Sequence, residues 1–358
     1  MLLEILLSAI VAAIATFISG KFIIPLLIRA GLVAQDINKE KRPILPSSGG
    51  FLLIIGLFAG IMSLIAAYNY IIKADFNPEA LLLGLSSIII ISLIGFVDDL
   101  SGGKIRTSMA DIKRMAKNYS IFNGGIRQWQ KPLLTLIGAV PLMVLFFGST
   151  VYFPGIGNVV INPIIYIVIL IPIAVVFASN AYNMLEGLNG IAIQMGLVLF
   201  AAFSILSFHL HNYDGFALSA IMFSVLLGYL YYGKYPAKII PGDSLTYFIG
   251  GAVAVVAIIG NMQLFAVFIL IPWIIEFFLK ARKRFHASSW GIIHKNGTLS
   301  SPYGNKVYSL THIFLRKGKY KEWQIALMLT LIEVVIICSR PCHILVSIFS
   351  NSVRLTYR

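Results

Sequence analysis

Long apolar runs separated by short polar loops dominate the hydropathy pattern of this chain. A membrane-spanning helix needs about 20 mostly apolar residues. About ten runs approach that length, at approximate positions 2–24, 50–72, 81–97, 132–149, 162–179, 190–209, 216–232, 246–260, 263–280 and 324–349. The pattern therefore predicts an all-α, polytopic membrane protein with about ten transmembrane helices in a single integral membrane domain, residues 1–358.

Composition and charge agree with that class. With 58% hydrophobic and 12% charged residues, the chain is not a soluble globule of 358 residues. Its net charge of +14 is explained equally well by attraction to anionic lipid headgroups and by recruitment of a polyanionic substrate. We expect membrane lipid, and no nucleic acid, among its partners.

The distribution of Lys and Arg predicts the orientation. Most of them fall in alternate loops, whereas the opposite internal loops contain only Lys73. The positive-inside rule places the basic loops in the cytoplasm and both termini outside. The membrane is then the cytoplasmic membrane of an archaeal-type cell or the endoplasmic reticulum of a eukaryote. The predicted cytoplasmic loops are approximately 31–49, 98–131, 180–189, 233–245 and 281–323.

An acidic pair stands where the third apolar run ends, in GFVDDL. Carboxylates at the edge of a span are expensive to desolvate, which favours a functional site over a solvated helix end. Adjacent side chains leave a helix about 100° apart. We therefore expect Asp98 and Asp99 to divide their roles, one positioning a nucleophile or a metal-bound water and the other pairing with a basic group.

Amides and a carboxylate follow the fifth run, in NAYNMLEGLNG. Asn180 and Asn183 are three residues apart and share a helical face, and Glu186 is expected to extend that row. Gly187 and Gly190 permit close approach of a ligand to the backbone. The segment therefore predicts a nucleotide or metal site.

Two further segments carry charge on the same predicted face. Asp243, in PGDSL, precedes a span, where it either caps the helix or completes an oxygen-rich site of the kind that Mg²⁺ uses. Arg282, Arg284 and His286 follow the ninth run in KARKRFH. They act as a topogenic signal or as a phosphate-binding group, since Arg can bind phosphate through two hydrogen bonds.

The ordered motifs GFVDDL, NAYNMLEGLNGIAIQMG and GDSLTYFIGGAVAVVAIIGN, followed by a basic loop with a histidine, resemble the polyprenyl-phosphate N-acetylhexosamine-1-phosphate transferases. Among these, the resemblance points to the dolichyl-phosphate branch of eukaryotes and archaea. It covers approximately residues 40–335, and the family's ten spans with both termini outside match the predicted topology.

The resemblance implies a reaction. A polyprenyl or dolichyl phosphate attacks the β-phosphorus of a UDP-sugar in the presence of Mg²⁺, with Mn²⁺ as an alternative, and UMP leaves. With N-acetylglucosamine as the sugar, this is the first membrane step of lipid-linked oligosaccharide synthesis for protein N-glycosylation.

The resemblance also assigns roles to individual residues. Asp243 and Asn183 would hold the metal ion, and Asp98 would position or deprotonate the lipid phosphate. Lys131 corresponds to the lysine that follows the acidic pair in the family, with Lys104 or Arg106 as replacements in the phosphate role. If Asp99 is the acid that pairs with a basic group, Lys131 is its expected partner. Asn189 falls where the family contacts uracil. The remaining expected substrate-binding residues are Asn180, Glu186, Arg282, Arg284 and His286.

Other functions remain open from the sequence. A secondary transporter would explain many spans and charged residues near them, although transporter sites lie at the membrane midplane. A bacterial-type phosphotransferase that initiates cell-wall or polysaccharide synthesis shares the motifs. The pattern of a CDP-alcohol phosphotransferase is absent. The exact N-acetylhexosamine, the polyprenol length and a homodimer are also left open.

Overall fold

The structure, a computed structural model, describes residues 1–71, 76–101, 125–145, 149–153 and 157–339. Helices dominate these segments. In chain order they are α1 Leu2–Arg29, α2 Gly50–Tyr70, α3 Pro78–Ser101, α4 Gln130–Val144, α5 Pro163–Leu185, α6 Ile191–His209, α7 Tyr213–Gly233, α8 Gly242–Ile259, α9 Gln263–Ile269, α10 Ile271–Ala281, α11 Leu310–Leu315 and α12 Glu322–Ile337.

Seven helices of the described segments are long and apolar enough to cross a membrane, namely α1, α2, α3 and α5 to α8. Helices α9 and α10 form a further candidate span that bends by 60°. Pro272 stands at the start of α10, where its missing N–H interrupts the hydrogen bonding of a continuous helix. The protein is therefore an integral, multi-pass membrane protein.

The expected count of ten spans is not confirmed. Helix α4 is too short to pass as a span and contains a 3₁₀ turn at Leu136–Ala139. Helix α12 is described only as far as Ile337, and most of the remainder of the run expected at 324–349 lies outside the described residues.

Short antiparallel strands occur in the loops, so the described structure is mostly helical, whereas the sequence predicted an all-α protein. Their pairing supplies hydrogen-bond partners to backbone groups of the connecting segments. The pairs are β1 Val33–Gln35 with β2 Ile44–Pro46, and β3 Thr150–Phe153 with β4 Gly157–Val160. A three-stranded sheet consists of β5 Ile292–Ile293, β6 Thr298–Ser300 and β7 Tyr320–Lys321, with β6 in the middle.

Helix α8 lies at the centre of the helix bundle. Every residue from Ser244 to Ile259 is buried. Glycines bring its neighbours close, since a Cβ at Gly95 of α3 would lie 2.4 Å from the Asp243 carbonyl oxygen and one at Gly250 would lie 2.5 Å from the Ala178 carbonyl oxygen of α5. Small residues at helix contacts are typical of membrane proteins. This packing brings the polar ends of α3, α5 and α8 together at one face.

Candidate active site

One lysine joins two carboxylates at that face. Lys131, at the start of α4, contacts the carboxylate of Asp98 directly, and its Nζ lies 2.9 Å from Asp243 Oδ2. The pair with Asp98 is largely buried, since the Asp98 side chain is 5% exposed and that of Lys131 is 14% exposed, whereas the Asp243 side chain is 28% exposed. We call Asp98, Lys131 and Asp243 the acid–lysine cluster. Three helices that are remote in sequence contribute one residue each.

Asp98 is fixed by a second contact. Its Oδ1 accepts a hydrogen bond of 2.7 Å from the Ile126 backbone N–H, while its other oxygen faces Lys131. Both oxygens therefore have donors, which holds the carboxylate at the end of α3 in one orientation.

Asp99 has different partners. Its Oδ1 accepts a 2.6 Å hydrogen bond from the Asp243 N–H, and its Oδ2 accepts one of 3.2 Å from the Ser244 N–H. These N–H groups belong to the first turn of α8, which has no acceptors within the helix, and the negative charge suits the positive end of the helix dipole. Asp99 is therefore a cap supplied by another helix.

This arrangement depends on Gly242. Its φ is +69°, and a Cβ there would lie 2.5 Å from Asp99 Oδ2. Glycine adopts that backbone conformation and leaves room for the carboxylate. Because Asp99 caps α8, the side chain of Asp243 is free to turn towards Lys131.

The expected pairing of Asp99 with Lys131 is wrong. Lys131 pairs with Asp98, because adjacent side chains leave α3 in different directions and only that of Asp98 faces α4. Lys104 and Arg106, the suggested replacements for Lys131, lie outside the described residues.

The two asparagines of α5 extend the cluster. Asn183 Nδ2 donates a 3.2 Å hydrogen bond to Asp243 Oδ2, and its Oδ1 accepts one of 2.9 Å from Thr246 Oγ1. Asn180 Nδ2 donates to Thr135 Oγ1 at 3.0 Å, and the Tyr247 hydroxyl donates to Asn180 Oδ1 at 3.1 Å. Asn183 therefore contacts Asp243, as expected. Asn180 connects α5, on which it stands, with α4 and α8.

Sequence reasoning missed Thr135, Thr246 and Tyr247. Each follows a residue of the acid–lysine cluster by three or four positions, which places it on the same helical face. That spacing was the signal available in the sequence.

The donor set of this face fits Mg²⁺. Carboxylate and amide oxygens are the hard ligands that this ion takes, through one or two carboxylates together with substrate phosphates. The Lys131 ammonium already lies between the carboxylates of Asp98 and Asp243, so a positive charge is stabilised at this position. Among the residues described, no three His, Cys, Asp or Glu side chains form a preassembled metal site. Two carboxylates and an amide oxygen would leave the rest of the coordination of such an ion to substrate phosphates.

Glu186 departs from the row in which it was expected. Helix α5 ends at Leu185 and Glu186 has an extended backbone with ψ of 140°, so its side chain leaves the face of Asn180 and Asn183. It lies beside Tyr182, Ile191 and Trp273. Its buried Oε2 has no hydrogen-bond partner in the described part of the chain. Burial and then the charge of Glu322 raise its pKa to about 8.

Asn189 belongs to a second polar network. Its backbone N–H donates to Glu322 Oε1 at 2.7 Å, and its Nδ2 donates to Asp36 Oδ2 at 2.8 Å. Lys39 pairs with the same Glu322, and Asn38 Nδ2 donates to the Gly187 carbonyl oxygen at 2.6 Å. The network holds the segment after α5 against the α1–α2 loop and the start of α12.

The α1–α2 loop also holds the segment before Asp243. The Gly49 N–H donates to the Pro241 carbonyl oxygen at 2.8 Å, and the Ile240 N–H donates to the Pro46 carbonyl oxygen at 2.8 Å. The same loop therefore positions the backbone near both Asn183 and Asp243.

The basic loop after α10 is separate from the acid–lysine cluster in the described structure. Arg282, Arg284 and His286 are exposed. Arg282 Nη1 donates a 3.4 Å hydrogen bond to the Val307 carbonyl oxygen, and no hydrogen bond or ion pair among the described residues joins these three side chains to the cluster. Their expected binding of phosphate and sugar stays a prediction.

His312 is a buried residue that the sequence did not single out. Its Nε2 lies 2.9 Å from the Ser288 carbonyl oxygen, and its Nδ1 accepts a 3.1 Å hydrogen bond from the Tyr308 N–H. Burial lowers its pKa to about 4. His312 is therefore a neutral residue that fixes the loop between α10 and α12.

The fold and this face define a polytopic membrane protein with a charged, oxygen-rich site at one membrane surface. The family model described as glycosyl transferase family 4 matches residues 81–261, which include both acids of α3, both asparagines and Asp243. The chain belongs to glycosyl transferase family 4.

Individual relatives match over most of the chain. A protein of Sulfolobus acidocaldarius with the provisional name UDP-N-acetylglucosamine–dolichyl-phosphate N-acetylglucosaminephosphotransferase is 36% identical over 93% of this chain and 94% of its own length. A protein of Saccharolobus solfataricus with the same provisional name is 33% identical over 93% of this chain and 95% of its own length. The phospho-N-acetylmuramoyl-pentapeptide-transferase of Staphylococcus carnosus is 31% identical over 75% of this chain and 80% of its own length.

Proposed function

We propose that the protein transfers N-acetylglucosamine 1-phosphate from UDP-N-acetylglucosamine to a polyprenyl phosphate of the dolichyl type. An oxygen of the lipid phosphate forms a bond to the β-phosphorus of the nucleotide sugar. The bond from that phosphorus to the bridging oxygen breaks, and UMP leaves. The observation that carries the proposal is the contact of Lys131 with the buried Asp98 and with Asp243 at a membrane face, in a chain related over 93% of its length to the archaeal proteins.

The location of the cluster suits this pair of substrates. A lipid phosphate stays in the headgroup layer while its chain remains in hydrocarbon, so the reaction requires a site where α3, α5 and α8 reach the surface. We assign this surface to the cytoplasm, with both termini outside, because the loops on this side carry most of the basic residues.

Lys131 and Asp98 act on the lipid phosphate. Phosphoryl transfer depends mainly on positioning and on neutralising charge. The Lys131 ammonium attracts the incoming phosphate and neutralises part of its charge. Asp98, held by the Ile126 N–H and by Lys131, orients the attacking oxygen and accepts a proton if the phosphate carries one.

Asp243 and Asn183 act on the nucleotide side. Asp243 and Asn183 would hold Mg²⁺, which when bound supplies positive charge to the pyrophosphate. Thr246 positions the amide of Asn183, and Asp99 positions the first turn of α8, on which Asp243 stands.

Measurement of UMP release from UDP-N-acetylglucosamine tests the proposal. The purified protein should release UMP only when polyprenyl phosphate and Mg²⁺ are both present, and EDTA should abolish release. Asp243→Ala should remove activity in protein that remains folded and inserted, and Asp214→Ala is the matched control at the opposite end of the bundle. A secondary transporter would release no UMP under any of these conditions.

A further inference from the structure

Helices α1 and α7 pack closely near the membrane face of the acid–lysine cluster. The Tyr232 hydroxyl donates a 2.7 Å hydrogen bond to the Phe17 carbonyl oxygen, and a Cβ at Gly228 would lie 2.3 Å from the Ala13 carbonyl oxygen. Helix α7 ends at Gly233 and the chain reaches Asp243 without crossing the bundle again. The junction of α1 and α7 therefore lies at the same face as the cluster.

Three exposed lysines lie at this junction around one exposed tyrosine. Lys238 Nζ lies 3.2 Å from the centroid of the Tyr231 ring, which is 5.4 Å from the centroid of Phe17. Lys21 Nζ lies 5.9 Å from the Phe17 ring centroid. Lys234 follows the last residue of α7, three positions after Tyr231, and the Lys238 N–H donates a 2.8 Å hydrogen bond to the Tyr232 carbonyl oxygen. We call these three lysines and Tyr231 the basic–aromatic pocket.

The described part of the chain offers this pocket no balancing carboxylate. The ion pairs to carboxylates among the described residues involve the N-terminal amine, Lys39, Lys131 and Lys280. None of them involves a lysine of the pocket. Like charges that approach one another repel, and an anion placed among them would relieve that repulsion. The pocket is therefore an electrostatic site for an anion.

Apolar surface leads away from the pocket into the membrane. Ile14 and Ile18 of α1 are 52% and 44% exposed, and Leu227 of α7 is 44% exposed. They precede Lys21 and Tyr231 by one or two helical turns, so they line the path from the pocket towards the hydrocarbon. A ligand with a negative head and apolar chains matches both parts of this surface.

We propose that the basic–aromatic pocket binds the phosphate headgroup of an anionic phospholipid of the surrounding bilayer. The lysines and the Tyr231 hydroxyl contact the phosphate, and the acyl chains lie along α1 and α7. Basic pockets between transmembrane helices are sites for acidic headgroups, and tyrosine rings favour the membrane interface. The site opens to lipid and shares no residue with the acid–lysine cluster, so it goes beyond the proposed reaction and does not depend on it.

Native mass spectrometry of the purified protein with phosphatidylglycerol and phosphatidylcholine of identical acyl chains tests this site. The wild-type protein should retain phosphatidylglycerol in preference to phosphatidylcholine. The triple variant Lys21→Gln/Lys234→Gln/Lys238→Gln should bind phosphatidylglycerol about 100-fold more weakly. Each lysine contributes a factor of about 5 to the affinity, and the three factors multiply.

The matched control is Lys306→Gln/Lys317→Gln/Lys319→Gln, which removes the same charge from exposed lysines in the loop between α10 and α12. It should retain the preference. Tyr231→Leu, which keeps every charge, should weaken the preference by removing the ring and its hydroxyl. Unchanged UMP release in neutral detergent would verify that the variants are folded.

Three results would overturn the proposal. Equal binding of the two lipids by the wild-type protein would show that the pocket does not select an anionic headgroup. Equal losses of phosphatidylglycerol affinity in the two triple variants would show that the preference comes from diffuse surface charge. Polyprenyl phosphate could instead displace phosphatidylglycerol one molecule for one, with a raised KM for polyprenyl phosphate in the triple variant of the pocket. That result would make the pocket a substrate site.

Discussion

At the scale of single residues, neighbouring acids have separate roles. Asp98 contacts Lys131, whereas Asp99 receives two backbone N–H groups of α8. A pair of adjacent carboxylates in a sequence indicates a functional helix end, but it does not reveal which one faces the site. That depends on the rotation of α3 against α4 and α8, which only tertiary packing determines.

The first prediction separates these acids. Asp98→Asn keeps the shape of the side chain and leaves Lys131 paired with Asp243, so it should lower kcat by about 100-fold, the range of a lost general base or positioning carboxylate, in protein that still folds. Asp99→Ala should instead destabilise the protein by about 1–2 kcal/mol, because it removes the cap of α8. Steady-state kinetics and thermal unfolding in detergent measure both. Equal effects of the two substitutions on both quantities would contradict the assignment.

The second prediction concerns the partner of Lys131. Asp98→Asn and Lys131→Ala remove the same contact, so their effects on kcat/KM should be non-additive in the double variant. Asp99→Asn with Lys131→Ala is the matched comparison and should come nearer to additivity. Additive losses for Asp98 and Lys131 would refute their functional pairing.

The third prediction concerns pH and His312. Its pKa is lowered to about 4, so between about 6.5 and 4 the unfolded chain binds a proton that the folded protein does not. The stability that neutral His312 contributes is therefore complete above about pH 6.5 and is lost as the pH falls to about 4.

Thermal midpoints across that pH range test this expectation. In His312→Gln, the thermal midpoint should fall less steeply as the pH is lowered. His294→Gln, which changes an exposed histidine, should leave the pH dependence of the midpoint unchanged. An unaltered slope in His312→Gln would exclude this histidine as the source.

At the scale of elements, the membrane spans were predictable, whereas the loops and the exact helix ends were not. Spans expected at 50–72 and 81–97 correspond to α2 and α3, because apolar runs of that length have one stable form in lipid. The expected row from Asn180 through Glu186 failed at its last member, since α5 ends at Leu185. Long-range contacts such as that of Lys39 with Glu322 have no local signal, because 283 residues separate the partners.

The fourth prediction concerns the ion pair of Lys39 with Glu322. Glu322→Gln and Lys39→Met each break a largely buried ion pair, which should destabilise the protein by about 3 kcal/mol. The double variant should lose much less than the sum. Hydrogen exchange at the Asn189 amide, which donates to Glu322, should rise in Glu322→Gln and remain unchanged in the exposed control Glu79→Gln. Additivity within about 0.5 kcal/mol would contradict the coupling.

At the scale of the whole molecule, one buried helix organises the site. Helix α8 carries Asp243 and packs against α3 and α5, so the residues that the family motifs supply from distant segments meet at one face. Composition predicted the membrane class, and ordered motifs predicted the family. The bent pair α9–α10 and the short α4 were hidden from hydropathy, which counts apolar residues and is insensitive to breaks between them.

The fifth prediction tests the orientation. In a background with Cys338 and Cys342 replaced by serine, cysteines at Ser101 and Thr298 should be shielded from an impermeant thiol reagent added outside intact cells. A cysteine at Asn212, at the opposite end of the bundle, should react. The reverse pattern would place the acid–lysine cluster outside and exclude a cytoplasmic nucleotide sugar.

The proposed reaction transfers a sugar together with its phosphate. The fate of the β-phosphorus of the nucleotide sugar shows whether it does. The purified protein would receive polyprenyl phosphate, Mg²⁺ and UDP-N-acetylglucosamine labelled with ³²P at the β-phosphate. The label should enter the lipid fraction in an amount equal to the UMP released, and Asp243→Ala should abolish both. Label that remains in water-soluble UDP while unlabelled sugar enters the lipid would contradict the proposed reaction, since the sugar would then have moved without its phosphate.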